Sequence, residues 1–235
     1  MTTSSHLSDN LVLLAHETGL LLGTAADLND ETVRAASLCE GWTRAHVLSH
    51  IARNADGLAN LVSWAVTGKP VAMYESPQSR DADIEAGSTR SAQEIFTDLK
   101  ESAARFAAAA TGLAGPPEHA EVQMRTGRTV LGGQLPTLRL MEVVFHHVDL
   151  DAGYTFADAD PGFVRRAIRN AVERMRNSGQ APAVSLRGDD GETWSIGDGA
   201  QEVTGTNAAV LLWLARGDGT GVSSEDALPG LPAWG

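Results

Sequence analysis

The sequence predicts an α+β protein in which an N-terminal four-helix bundle is followed by a smaller α+β domain. Three observations lead to this fold class. Apolar residues recur at intervals of three and four over roughly the first 150 residues, which is the period of amphipathic helices. After Tyr154, short strand-like runs lie between two helical segments, an order typical of a compact α+β unit. A length of 235 residues allows one large domain or two smaller ones.

Four helices are expected in the first part of the chain, each bounded by residues that favour helix ends. Their expected spans are 8–29, 43–68, 91–112 and 136–153. Thr43 is a favourable N-cap, and Ser91 opens a capping-box pattern with Glu94. Gly68 suits the position after a helix C-terminus. Four long amphipathic helices joined in this order predict a bundle.

Two connections between these helices, residues 69–90 and 113–136, are longer than a minimal bundle needs. Long ordered loops in compact domains are often functional. Within the second connection, the turn residues Thr126 and Gly127 are flanked by the runs from Glu121 to Met124 and from Arg128 to Leu131. We therefore expect a small β-hairpin there.

The second domain is expected to begin with an amphipathic basic helix, PGFVRRAIRNAVERMR, after a linker, FADADP. Three strand-like runs follow, AVSLRG, ETWSIG and QEVTG, and then a helix from Thr206 to Leu214 that is broken at Gly217. Residues 1–155 and 156–235 are thus the two expected domains. The basic stripe of the first helix is interpreted as a solvated face.

Charge and cysteine content restrict the possible partners and compartment. Eighteen Lys and Arg against thirty Asp and Glu leave a net charge of −12, which disfavours nucleic acid and membrane surfaces. Cys39 is the single cysteine, so no intramolecular disulfide forms, as is usual in a reducing cytoplasm. The first residues lack the pattern of a signal peptide. We expect a cytoplasmic protein, and a monomer.

Two pairs of candidate metal ligands stand at helical spacing. His46 and His50 lie in the second helix, and Glu142 and His146 lie in the fourth. Each pair is separated by four residues and so shares a helix face. Imidazole and carboxylate groups from facing helices commonly bind a metal inside a bundle. In the alternative interpretation, one histidine lies on the surface and Glu142 pairs with Arg139.

Three further residues have a chemical and a structural interpretation. Cys39 is a candidate nucleophile, but its neighbour Glu40 disfavours a thiolate, so we expect a small buried apolar side chain. Arg216 lies after an apolar helix and before a Gly-rich loop. There it either binds a carboxylate or interacts with the helix dipole. Arg80, in the first long connection, has the same two interpretations.

Several ordered segments resemble one known family. They are CEGWTRAHVLSHIARNA, MYESPQSR, EVVFHHVDL and ARGDGTGV, and they extend from residue 38 into the second domain. In these segments the chain resembles the mycothiol-dependent maleylpyruvate isomerases. That family belongs to a wider DinB-like group of metal-binding four-helix thiol-dependent transferases.

The resemblance implies particular cofactors and site residues. A divalent metal, usually zinc, would be held by His50, Glu142 and His146, with one position open, whereas His46 would not be a ligand. Arg216 would be the catalytic arginine of the C-terminal domain, binding substrate across the cleft, and Arg80 would also bind substrate. The chain departs from the family pattern at His147 and Cys39, and neither departure removes an implied ligand.

The implied reaction is a mycothiol-dependent and zinc-dependent isomerisation of maleylpyruvate, or a close cis-enedione diacid, to fumarylpyruvate during aromatic catabolism. A thiolate that adds reversibly to the double bond permits rotation about it. The acidic chain then needs a local cationic group for its anionic substrate. Two alternatives stay open at this point: a thiol S-transferase using the same metal-activated thiol, and a non-enzymatic metal- or ligand-binding module.

Overall fold

The computed structural model describes residues 3–232 and has the predicted α+β class. The chain divides into two compact units, Met1–Tyr154 and Thr155–Gly235. The first unit contains five α-helices and a two-stranded sheet among its described residues. The second contains two α-helices and a four-stranded sheet. Among residues 3–232, no helix is both long and apolar enough to cross a lipid bilayer.

The first unit is built around one central helix. Its helices are α1 (Thr3–Ala26), α2 (Arg44–Thr67), α3 (Pro77–Ser88), α4 (Ala92–Ala110) and α5 (Leu135–Asp149). Helix α2 packs against α3, α4 and α5, and α1 packs against α4 and α5. Leu48, Ile51 and Leu58 of α2 are buried in this core together with Leu99 and Leu140. Removing their apolar surface from water stabilises the packing.

The ends of α2 and α4 confirm the sequence-based boundaries. At the start of α2, the side chain of His46 reaches back to the backbone N–H of Thr43, and at its end Gly68 adopts a left-handed conformation with φ 70°. Ser91 and Glu94 form the expected reciprocal capping box of α4. These contacts satisfy helix-end groups that have no partner within the helix.

The two long connections have different outcomes. The second contains the expected hairpin, in which β1 (Glu121–Gln123) pairs antiparallel with β2 (Thr129–Leu131). The expectation of a long loop over residues 69–90 is wrong in part, because α3 occupies Pro77–Ser88. The side chain of Ser76 caps α3 and Pro77 opens it, which is a favourable helix start. The sequence of α3 is largely polar and has no regular apolar period, so periodicity did not predict this helix.

The second unit has the predicted order of helix, strands and helix. Its elements are α6 (Pro161–Ser178), β3 (Val184–Arg187), β4 (Thr193–Ile196), β5 (Gln201–Gly205), α7 (Asn207–Arg216) and β6 (Val222–Ser223). The sheet order is β4-β3-β5-β6. Strands β3 and β5 are parallel, and the other two pairs are antiparallel. Strand β6 was not predicted, because two residues are too short to show a pattern.

Candidate metal centre

Helices α2 and α5 bring three of the predicted ligands together. His50 lies on α2, and Glu142 and His146 lie one turn apart on the facing side of α5. The Nε2 atom of His50 is 3.1 Å from Oε2 of Glu142 and 3.1 Å from Nε2 of His146. The third side of this triangle, between Nε2 of His146 and Oε2 of Glu142, is 3.6 Å. All three donor atoms therefore face one point.

The size and chemistry of this triangle fit a divalent metal. Ligands bonded to tetrahedral zinc at about 2.0–2.1 Å stand about 3.3 Å apart, close to the three distances here. Two imidazole nitrogens and one carboxylate oxygen are donors that zinc accepts, and three protein ligands leave a fourth position open. The side chain of Glu142 keeps 34% exposure against 8% for His50.

The charges of the three side chains are adjusted to one another. Burial opposes ionisation of Glu142, but hydrogen bonds to His146 and His50 outweigh it and hold its pKa well below the usual range. Burial lowers the pKa of His50, and the positive charges of His146 and Arg80 act in the same direction. These effects outweigh the hydrogen bond to Glu142, which raises the pKa of His50, and they favour the neutral imidazole, the charge state in which a histidine binds a metal.

A buried carboxylate orients His146. Oδ2 of Asp149 lies 2.8 Å from Nδ1 of His146, and the side chain of Asp149 is fully buried. Burial lowers the pKa of His146, yet hydrogen bonds to Asp149, Cys39 and Glu142 outweigh this and raise the pKa well above its usual value. A carboxylate on Nδ1 directs Nε2 toward a metal and strengthens it as a ligand.

An arginine and one aromatic residue contact His50, and a second aromatic residue contacts the arginine. Nη2 of Arg80 lies 3.0 Å from Nδ1 of His50, and the Arg80 guanidinium stands 5.9 Å from the ring centroid of Tyr74. The Trp42 and His50 ring centroids are 5.5 Å apart. Burial raises the pKa of Tyr74, against the opposing charge of Arg80. Beside the three candidate ligands there is therefore a cation and a neutral phenol.

Arg139 does not form the pair with Glu142 that the alternative interpretation required. Its Nη1 donates hydrogen bonds of 2.8 Å to the backbone oxygen of Ile51 and to Oδ1 of Asn54. Burial lowers the pKa of Arg139 to about 10, against the opposing charge of Glu142. Arg139 therefore links α5 to α2 one turn before Glu142, and the carboxylate of Glu142 faces the two histidines instead.

Two neighbouring histidines, His46 and His147, lie outside the triangle. His46 is one turn before His50, and its Nδ1 is 2.7 Å from Oγ1 of Thr43 at the start of α2. His147 is buried, stacks on Tyr154 with ring centroids 3.7 Å apart, and has Nε2 2.7 Å from Oγ1 of Thr24. Both therefore have structural contacts of their own.

Cys39 and the two candidate substrate arginines also have defined positions. The expectation of a buried Cys39 is wrong: the side chain is half-buried, and its sulfur lies near His146 and Asp149. Arg80 lies in helix α3 rather than in a loop. Arg216 is the last residue of α7, before the left-handed Gly217, so the helix extends two residues beyond its expected end at Leu214. Its Nη1 donates to the backbone oxygen of Ala215 at 2.9 Å.

Sequence reasoning missed three residues around this centre: Trp42, Tyr74 and Asp149. Asp149 was detectable, because it follows His146 by three residues and so lies on the same helix face. Trp42 and Tyr74 carried no periodic signal. The turn before α2 places Trp42 beside His50, and the segment before α3 places Tyr74 beside Arg80.

Comparisons with known proteins point to one family. The sequence model of the mycothiol maleylpyruvate isomerase N-terminal domain matches residues 14–151. Two crystal structures are similar, one of the mycothiol-dependent maleylpyruvate isomerase and one of its histidine-to-alanine mutant. Each shares 29% sequence identity with this chain, the alignment covers 100% of both chains, and the TM-score is 0.91. A search of curated protein sequences finds no significant match.

Proposed function

This chain belongs to the mycothiol maleylpyruvate isomerase family, and on that premise we propose that it isomerises maleylpyruvate, or a close cis-enedione diacid, to the trans isomer. Mycothiol and a divalent metal, zinc in our proposal, are the cofactors. The whole-chain similarity to the mycothiol-dependent enzyme supports the reaction class. Membership of an enzyme family leaves the non-enzymatic alternative without support.

One observation carries the metal-dependent part of the proposal. The donor atoms of His50, Glu142 and His146 face one point at mutual distances of 3.1–3.6 Å. These three residues would hold the metal, and the chemistry supplied there would be a lowered pKa of the mycothiol thiol, so that a thiolate would be available for reversible addition to the double bond. The negative charge of Glu142 favours retention of the cation, and Asp149 keeps His146 in the orientation needed.

Arg80 is proposed to bind the substrate. Its side chain stands beside His50 and Tyr74, and a guanidinium binds carboxylates through paired hydrogen bonds. Because the chain carries a net charge of −12, an anionic substrate needs such a local cation. Tyr74 adds a neutral hydroxyl donor beside Arg80. Both groups suit an oxygen that gains negative charge when the double bond is attacked.

Arg216 is proposed as the catalytic arginine, and this assignment rests on the resemblance of ARGDGTGV to the family segment. Its place at the end of α7, before Gly217, supports a side chain that the helix holds in a defined direction. Pairing with a substrate carboxylate or with the developing enolate would lower the barrier to thiolate addition.

The two units are proposed to have separate tasks. We infer that residues 1–155 form a metal-binding DinB-like four-helix bundle, which the packing of α1, α2, α4 and α5 supports. Residues 156–235 would then be the small α+β domain that contributes Arg216. Helix α3 is an addition to the bundle and supplies Arg80.

A two-factor assay tests this function. The purified protein is incubated with maleylpyruvate, with or without mycothiol and with or without zinc after chelation, and the trans product is quantified. We expect turnover only when both factors are present. Full activity after complete chelation, or without any thiol, would disprove the proposal.

Measurement of free thiol separates isomerisation from S-transfer. An isomerase returns the thiol after each turnover, so its concentration stays constant while the trans product accumulates. A transferase consumes one thiol for each product molecule. Loss of thiol in proportion to product would replace the isomerase assignment with the transferase alternative.

A further inference from the structure

A second group of metal-binding side chains shares His146 with the candidate metal centre. Cys39 lies in the turn that leads into α2, and the backbone N–H of Leu38 donates to the backbone oxygen of Asp149 at 2.9 Å. This contact holds the turn against the end of α5. As a result, the Cys39 sulfur, a ring nitrogen of His146 and a carboxylate oxygen of Asp149 all lie within 4.8 Å of one another.

The two groups differ in donor chemistry. His50, Glu142 and His146 offer nitrogen and oxygen, whereas Cys39 adds sulfur to a nitrogen and an oxygen. Thiolate sulfur binds soft cations preferentially. Carboxylate and imidazole donors without sulfur show no strong preference for soft cations. Among the described residues, these are the two groups of three His, Cys, Asp or Glu side chains with this spacing. A soft cation is therefore expected to bind more tightly to the group that contains sulfur.

The two groups meet on opposite nitrogens of one ring. Nε2 of His146 faces His50, and Nδ1 faces Asp149. A neutral imidazole has one nitrogen with a free lone pair and one that carries hydrogen. When Nε2 binds a metal, the hydrogen stays on Nδ1 and is donated to Asp149. A metal on Nδ1 requires that hydrogen to move to Nε2, where it blocks binding on the other side.

We propose that Cys39, His146 and Asp149 form a second metal site, selective for soft divalent cations such as Cd²⁺, which competes with the His50 site for His146. Binding releases to solvent the thiol proton of Cys39 and, from a ring protonated on both nitrogens, one proton of His146. The metal–sulfur bond forms without oxidation or reduction. The proposal concerns metal binding alone, so it stands or fails independently of the isomerase function.

The single cysteine makes the test specific. Metal-free protein without added thiol is titrated with Cd²⁺ while ultraviolet absorption by thiolate-to-cadmium charge transfer is recorded. Because Cys39 is the only cysteine of the chain, any such band in a monomeric complex comes from this residue. We expect the band to saturate at one equivalent of Cd²⁺, with an absorbance per protein that does not change with protein concentration.

Three variants test which residues share the metal with Cys39. The His146→Gln variant is expected to lose the saturable band, and Asp149→Asn to bind Cd²⁺ at least about tenfold more weakly, in line with the loss of a metal-supporting carboxylate. His50→Ala keeps all three donors of the second site and removes its competitor. It is expected to retain the band with equal or higher Cd²⁺ affinity. Asp151→Asn serves as the control near the same helix end.

Four results would overturn the proposal. One is Cd²⁺ binding at one equivalent without a thiolate band, which would place the ion at the His50 site alone. A second is an unchanged band in both His146→Gln and Asp149→Asn, which would indicate an isolated thiol. A third is binding of two equivalents of Cd²⁺ with both sites filled, which would show that the two sites do not compete for His146. The fourth is a band that grows with protein concentration, which would indicate cysteines of two molecules sharing one ion.

Discussion

Nδ1 of His146 lies 2.8 Å from Oδ2 of Asp149, three residues later on α5. This contact sets which nitrogen of His146 is left for a metal at the His50 site. Asparagine in place of Asp149 keeps the shape but removes the charge. We expect Asp149→Asn to weaken zinc binding by about 10–100-fold, the usual effect of removing such a carboxylate. Zinc affinity measured by competition with a chelator tests this prediction.

A matched control stands two residues away. Asp151 is exposed and adopts a positive φ of 49°, a conformation that asparagine also tolerates. Asp151→Asn therefore makes the same chemical change without touching the centre, and its zinc affinity is expected to equal that of the wild type. Equal zinc affinities of the wild type, Asp149→Asn and Asp151→Asn would show that Asp149 does not orient His146 for zinc binding.

The two histidines of α2 are expected to differ sharply in their effect on metal content. His50→Ala removes a donor that lies 3.1 Å from both other ligands, so we expect zinc content after dialysis to fall from about one equivalent to near zero. His46→Ala removes the contact with Thr43 at the helix start. It is expected to keep its zinc and to lose about 0.5–1 kcal/mol of stability.

Elemental analysis beside thermal unfolding separates the two variants. Normal zinc content in folded His50→Ala would contradict the ligand assignment. Loss of zinc from His46→Ala without unfolding would show that the ligand set had been wrongly chosen.

Arg80 is expected to affect substrate binding. Methionine retains much of its length while removing the charge and the hydrogen-bond donors. A hydrogen bond to a charged group contributes about 1.5–3 kcal/mol, so Arg80→Met should raise KM about 10–100-fold. Steady-state kinetics at saturating mycothiol measure the change.

Arg90→Met is the control for Arg80→Met, because Arg90 is exposed and pairs with Asp98 away from the centre. Its KM should match that of the wild type. If the two variants have equal zinc content, similar KM values would show that Arg80 does not bind the substrate.

Gly57 is required by the position of Tyr74. A Cβ atom at Gly57 would stand 2.9 Å from Cε1 of Tyr74 and 3.0 Å from the backbone oxygen of Met73. We expect Gly57→Ala to lower the free energy of unfolding by about 1–2 kcal/mol, because overpacking costs about 1–3 kcal/mol and the gain in helix propensity offsets only about 1 kcal/mol. Denaturant unfolding measures the change.

The same substitution at Gly23 should have the opposite sign. Gly23 is exposed on α1, and nothing lies within 4 Å of a Cβ atom built there. Gly23→Ala is therefore expected to stabilise the protein by about 0.5–1 kcal/mol. Equal effects of the two substitutions would show that Tyr74 does not depend on the missing side chain of Gly57.

The local features of the fold were predictable because they depend on neighbours in sequence. Thr43, Gly68 and Ser91 mark helix ends through their own side chains or backbone freedom, so their effect needs no distant partner. The amphipathic period likewise marked α2 and α5 and placed Glu142 and His146 on one face. Helix α3 escaped prediction because its polar sequence has no apolar period, and packing against α2 stabilises it.

The pattern of residues along the chain was therefore sufficient to predict the α+β class, most helix ends and the residues able to bind a metal. Tertiary structure alone decided that His50 meets Glu142 across α2 and α5, that Arg139 bonds to Ile51 and not to Glu142, and that Cys39 approaches His146. These pairs are separated by many residues, so no local propensity links them. Only the burial of the apolar faces of α2 and α5 against each other brings their polar side chains to one point.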